Sequence, residues 1–143
     1  AALEGMSAIL NMYDLYPAKN KWVLLGDMIE QGMEEKDEHE KLAELINSIE
    51  LSKIILMGPR VSKYTYPRLK SLIKDQDKIE QFITPKEALD YLTDNIQGGE
   101  TILFKGARFL EGIIEHLLFD KNDVKKLCRR EKIWQLRRKK WGL

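Results

Sequence analysis

Apolar positions along this chain switch between two spacings, and the switches divide it into elements. Leu3, Met6, Ile9, Leu10 and Tyr13 recur at intervals of three and four, which predicts a helix over residues 1–13. Residues 14–20, with Pro17, read as a loop. Residues 21–26 then run apolar on both faces and stop at Gly26, the pattern of a buried parallel strand. A loop over 27–33 leads to a charged helix over 34–49, whose stripe is Leu42, Leu45, Ile46 and Ile49. Residues 53–58 form a second strand that again ends in glycine. The mixed stretch 59–74 resolves into a helix near Tyr66, with Pro67 in its first turn. After a third strand at 79–83, Thr84-Pro85-Lys86-Glu87 spells a helix start. Thr is the N-cap, Pro the first helical residue and Glu the third. That helix follows Ala88, Leu89, Leu92 and Ile96 to the Gly98-Gly99 break. A fourth strand at 101–105, a helix at 108–119, a break at 120–123 and a basic helix at 124–140 complete the chain.

Strands alternating with helices predict an α/β fold: a Rossmann-like three-layer domain with a mostly parallel sheet and right-handed crossovers. At 143 residues the chain accommodates one such core, taken here as residues 1–120, plus a helical extension at 121–143. No apolar run approaches the roughly 20 residues that span a bilayer, and the N-terminus has no signal-peptide pattern. Cys128 is the single cysteine, which excludes an intrachain disulfide and a cysteine metal cluster. A cytoplasmic location is the expectation. The first residue is not Met, so the chain is expected to begin part-way along a longer protein.

Charge changes the picture at one end. Residues 121–143 hold ten Lys/Arg against two Asp/Glu, whereas residues 1–120 hold 14 against 21. Trp134 and Trp141 among Arg137, Arg138, Lys139 and Lys140 invite a nucleic-acid or membrane-surface reading. The preferred reading is that Leu127, Trp134 and Leu136 dock the extension on the acidic body while the basic residues face water; nucleic acid is not expected as a partner.

Sequence motifs exclude several chemistries. The chain has no G-x-G-x-x-G, no phosphate-binding P-loop and no G-x-S-x-G. His39 and His116 are isolated, and Cys128 lacks a histidine partner. What remains is a pair of strand-end loops, Gly26-Asp27-Met28 and Lys105-Gly106-Ala107-Arg108. Ligands of open parallel sheets bind at such ends. Gly106 lets a backbone approach a ligand, and Lys105 and Arg108 add positive charge. Two readings stand side by side, a ligand edge or two turn glycines with a solvated rim. For Asp27, orienting a ligand amine competes with capping a loop, and the structural role is preferred. His39, between Glu38 and Glu40, is expected on a solvated helix face.

Leu25-Gly26-Asp27-Met28-x-Glu30-x-Gly32, then His39, then Ile55-Leu56-Met57-Gly58, then Phe104-Lys105-Gly106-Ala107-Arg108 resembles the C-terminal domain of the Mur ligases. The resemblance covers residues 1–119. It is strongest to the branch that joins D-alanyl-D-alanine (D-Ala-D-Ala) to UDP-MurNAc-tripeptide. Three residues depart from that pattern: Gln31 replaces Leu, Ala107 stands where Ser is common, and Glu111 lies two positions before the usual Glu. The resemblance implies one part of a three-domain ATP-dependent amide ligase. An N-terminal domain would bind the UDP-sugar peptide. A central domain would hold the P-loop, ATP and Mg²⁺ and form an acyl phosphate. The C-terminal domain would close over both. Asp27, Met28, Lys105, Gly106, Ala107 and Arg108 are the implied substrate-binding residues, with His39 as a further candidate. No catalytic or metal-binding residue is expected in this chain. The D-x-Y-N-A-x-P hinge that precedes the domain in the family is not found, so the chain alone is expected to be inactive. The alternatives are another Mur-type amide ligase, or a non-catalytic Rossmann-like module whose basic tail serves an anionic partner.

Overall fold

A computed structural model describes residues 2–29, 31–107 and 110–143. Among them four strands, β1 (Lys21–Gly26), β2 (Lys53–Met57), β3 (Ile79–Phe82) and β4 (Thr101–Lys105), form one sheet in the order β3-β2-β1-β4. Every pairing is parallel, with Leu24 of β1 opposite Ile55 of β2 and Phe104 of β4. The described helices are α1 (Ala2–Asp14), α2 (Glu35–Asn47), α3 (Tyr66–Leu72), α4 (Pro85–Asn95), α5 (Leu110–Leu117) and α6 (Lys132–Lys140).

Side chains of a strand alternate in direction, so each strand feeds two cores. Val23, Leu25, Ile54 and Leu56 pack with Met6 and Leu10 of α1, Leu42 and Ile46 of α2, and Leu69 of α3. Trp22, Leu24, Ile55 and Met57 pack with Ala88, Leu89 and Leu92 of α4 and Leu110 and Ile113 of α5. All six residues of β1 are buried, which is why that strand shows no polar face.

The order of strands places the site. α2 and α3 carry the chain from β1 to β2 to β3, toward one edge. α4 then crosses the opposite face and returns it to β4, on the far side of β1. The loops after β1 and β4 thus leave the sheet on diverging paths. That switch point is where open parallel sheets hold ligands.

Two polar side chains tie α1 to this sheet. Lys21 reads as a strand residue, but its ammonium caps the end of α1, donating to the carbonyls of Tyr13 (3.2 Å), Asp14 (2.9 Å) and Tyr16 (3.4 Å). The Tyr13 hydroxyl lies 2.9 Å from the Trp22 carbonyl and 2.8 Å from the Thr101 carbonyl, bridging β1 and β4. Burial pushes its pKa up to about 12.

The helix start at Thr84 forms as spelled. Thr84 Oγ1 accepts from the Glu87 amide (3.3 Å), and the Thr84 amide donates to Glu87 Oε1 (3.1 Å). Thr84→Ala is expected to cost about 1 kcal/mol, read as a lower urea midpoint with unchanged slope.

Some boundaries differ from the periodicity. The helix expected from residue 1 is described from Ala2, and the start of the helix expected at 108 lies outside the described residues. In the mixed stretch, a π-helical turn at Val61–Thr65 runs into α3, which begins at Tyr66 with Pro67 in its first turn. The basic extension is not one helix over 124–140. A 3-10 turn at Lys121–Lys126 and α6 are separated by Arg129, whose φ of 57° cannot propagate a right-handed helix.

Nor does the extension dock through the three apolar residues expected to hold it; the apolar residue that packs on the core is Leu143. Leu136 is exposed, and Leu127 and Trp134 are only half-buried. The buried group is Arg138, whose guanidinium lies 3.4 Å from the buried carboxylate of Glu111 on α5. Arg130 pairs with Glu115 at 3.0 Å. Gly112 makes the seat: a Cβ there would lie 2.7 Å from Arg138 Cδ and 2.8 Å from Leu143 Cδ1. Arg137, Lys139 and Lys140 face water, as expected. No described helix is long and apolar enough to cross a membrane.

Candidate functional site

The two strand-end loops meet backbone to backbone. The Ala107 amide donates to the Asp27 carbonyl at 3.0 Å. A Cβ on Gly26 would lie 2.4 Å from the Ala107 carbonyl oxygen, and one on Gly106 would lie 2.5 Å from the Gly26 nitrogen. Gly106 also sits at φ 128°, a region nearly closed to other residues. These are not interchangeable turn glycines, because contact between the loops requires both.

Asp27 fixes the first loop from beneath. Its side chain is fully buried. Oδ1 accepts from the backbone amides of Arg60 (3.0 Å) and Val61 (2.9 Å), which open the turn after β2. Oδ2 lies 3.4 Å from the Arg60 guanidinium, and that group also pairs with Glu35. The Glu35 hydrogen bond chiefly raises the Arg60 pKa. Gly58 leaves room for the carboxylate, since a Cβ there would lie 2.5 Å from Asp27 Oδ1. Asp27 thus caps a turn, but the turn is the one after β2 and not its own loop. A buried carboxylate engaged this way gives the site its backbone and not its charge.

His39 is not on a solvated helix face. It is fully buried, and Nε2 accepts from the Met28 amide at 3.2 Å. With Nε2 as acceptor, Nδ1 carries the proton and donates to the Glu35 carbonyl 2.7 Å away. The Thr65 hydroxyl donates to the His39 carbonyl at 2.8 Å. His39 stands behind the loop and holds Met28 in place; flanking glutamates in the sequence concealed that inward face.

Above the loops lies a cleft of about 380 Å³, lined by Gly5 and Met6 of α1, residues 27–29 and 105–107, and Arg129 of the extension. Of the expected substrate-binding residues it gathers Asp27, Met28, Lys105, Gly106 and Ala107. Arg108 lies outside the described residues. Met28 and Met6 are buried apolar wall, Ile29 is half exposed, and Lys105 is exposed at the end of β4. Sequence spacing missed Arg129, Gly5 and Met6, which no motif connects to the loops. Among the described residues no group of three or more His, Cys, Asp or Glu gathers to hold a metal ion. A larger hollow of about 640 Å³, beside Lys19, Lys21 and Lys78, lies at the opposite, N-terminal ends of the strands. Ligands of parallel sheets do not bind at that end.

The family model described as Mur ligase, glutamate ligase domain matches residues 1–108. The chain belongs to the Mur ligase C-terminal domain family. A similar curated protein is the UDP-N-acetylmuramoyl-tripeptide–D-alanyl-D-alanine ligase of Rickettsia prowazekii, 32% identical over 108 residues that cover 76% of this chain and 23% of the relative. Among solved structures, MurF from Acinetobacter baumannii is similar with a TM-score of 0.65 at 24% identity, over 82% of this chain and 25% of that one. MurF from Thermotoga maritima in complex with ADP gives a TM-score of 0.58 at 21% identity, over 88% and 27%. The last two likenesses show the shared fold. This Mur ligase domain therefore spans about a quarter of the length of the relatives it matches. The match to the family ends at residue 108, so Arg129 reaches the cleft from beyond it.

Proposed function

We propose that this Mur ligase domain is the closing, C-terminal part of an ATP-dependent ligase that joins D-Ala-D-Ala to UDP-MurNAc-tripeptide in the cytoplasm. The observation that carries the reading is the rigid cleft at the switch point, assembled from the two loops that the family match contains. Its chemistry suits a small dipeptide with two methyl groups and a carboxylate. Met6, Met28 and Ile29 supply apolar wall, and Lys105 supplies a cation at the rim. The hydrogen bond between Ala107 and Asp27 fixes both sides of the cleft before any ligand arrives, which lowers the ordering cost of binding.

ATP, held with Mg²⁺ mainly by the central domain, supplies the phosphoryl group that activates the tripeptide carboxylate. The residues of this domain orient the incoming dipeptide and exclude water from it. Placing an amine within attack distance is the kind of contribution that positioning alone makes large. Outside the matched region the basic extension remains attached through Glu111 and Glu115.

The test is a phosphate-release assay on the full-length ligase. Release is expected only when ATP, UDP-MurNAc-tripeptide and D-Ala-D-Ala are all present. Release with a single amino acid in place of the dipeptide would assign another Mur-type step, and no release with any acceptor would overturn the ligase reading.

A further inference from the structure

We propose that Arg129, delivered by the extension, is a second cationic anchor of the cleft and acts with Lys105 on an oxyanion of the ligand, a carboxylate or a phosphate oxygen. The ligase reading supplies the identity of that ligand but is not needed for the anchor itself.

Arg129 lines the same cleft as Lys105, Gly106 and Ala107. Its position is held from three sides. The guanidinium lies 3.2 Å from Glu111 Oε2, it sits 5.3 Å from the centre of the Trp134 ring, and the Arg129 carbonyl accepts from Arg138 at 2.8 Å. The last contact stabilises a left-handed backbone at φ 57°, which arginine rarely adopts.

The charges do not cancel. One buried carboxylate, Glu111, faces two guanidinium groups, Arg129 and Arg138. Arg138 is the buried one of the two. Two guanidinium groups on one carboxylate leave a net positive charge, and the more exposed of the two is Arg129, with 42% of its side chain open to solvent. The Asp27 carboxylate is buried and accepts from the amides of Arg60 and Val61. A planar guanidinium on the wall of a cleft that also holds a lysine suits an oxyanion that accepts two hydrogen bonds.

The experiment is an NMR titration of the ¹⁵N-labelled 143-residue chain with two probes, D-Ala-D-Ala for a carboxylate and inorganic pyrophosphate for a phosphate. One probe is expected to shift the amides of Gly106 and Ala107 together with the Arg129 Nε signal, and which one identifies the oxyanion. Arg129→Asn, chosen because Asn tolerates the left-handed region, is expected to weaken that probe about tenfold, the loss of one charge-assisted contact. Arg129→Lys is expected to recover most of the affinity. Arg129→Gly, which carries no backbone strain, replaces the Asn variant if thermal unfolding shows the latter misfolded. Neither probe moving these signals, or Asn and Gly variants binding as tightly as the parent, would overturn the anchor. Pyrophosphate binding through Arg129 without dipeptide-dependent turnover would sink the ligase reading and leave the anchor standing.

Discussion

Gly106→Ala is expected to cost about 3 kcal/mol of stability, combining a few kcal/mol of overpacking with backbone strain at a position closed to other residues. Two effects act together there. The added Cβ lies 2.5 to 2.7 Å from the backbone nitrogen, Cα and carbonyl carbon of Gly26, none of which is a flexible side-chain end that can swing away. The φ of 128° must also change, because alanine does not populate it. Relief requires the loop after β4 to move off the loop after β1. That movement breaks the hydrogen bond from Ala107 to Asp27 and opens the floor of the cleft. Urea denaturation should show the midpoint fall, and the amides of residues 27–29 should lose protection from hydrogen exchange. A midpoint unchanged within error would mean that the loops are not in contact. Gly98→Ala is the useful control, since its φ is also positive but a Cβ there meets nothing within 4 Å.

Asp27→Ala is expected to destabilise by about 3 kcal/mol, because two amides lose their acceptor at roughly 1–3 kcal/mol each when left buried and unsatisfied. The amides are those of Arg60 and Val61, and Val61 is fully buried. The Arg60 guanidinium keeps Glu35, so the loss falls mainly on the backbone of the π-helical turn. Asp27→Asn retains an acceptor oxygen at the same place and should cost appreciably less. Equilibrium denaturation of the pair checks this, and equal losses in Ala and Asn would show that the charge, not the cap, is what the fold needs. Any ligand affinity lost in Asp27→Asn would then report on the loop and not on a direct contact, since the side chain has no exposed surface.

How much of this was legible depended on distance along the chain. The capping box at Thr84 involves residues three apart and formed as written. The helical stripe at Met6, Leu10 and Tyr13 and the two apolar faces of β1 also needed only local spacing. His39 is the counterexample: its neighbours Glu38 and Glu40 are charged, yet its own face of α2 points at Met28, eleven residues back. The extension misled for a related reason. Its apolar residues suggested a hydrophobic dock, but the buried partner offered by α5 is a carboxylate, so an arginine went in and Leu136 stayed out.

The sequence by itself determined the alternation of strands and helices, the burial of β1 on both sides, the glycines that end the first two strands and follow the fourth, and the motif that names the family. These follow from side-chain period, turn chemistry and spelling, all carried by neighbouring residues. Only the tertiary structure decided that β4 lies beside β1, which brings Gly106 onto Gly26 across eighty residues. It alone decided that Asp27 caps the turn at Arg60 and Val61, and that Arg129 enters the cleft. Periodicity tells a side chain which face to occupy; strand order and ion pairing, settled among distant residues, tell it what it will meet there.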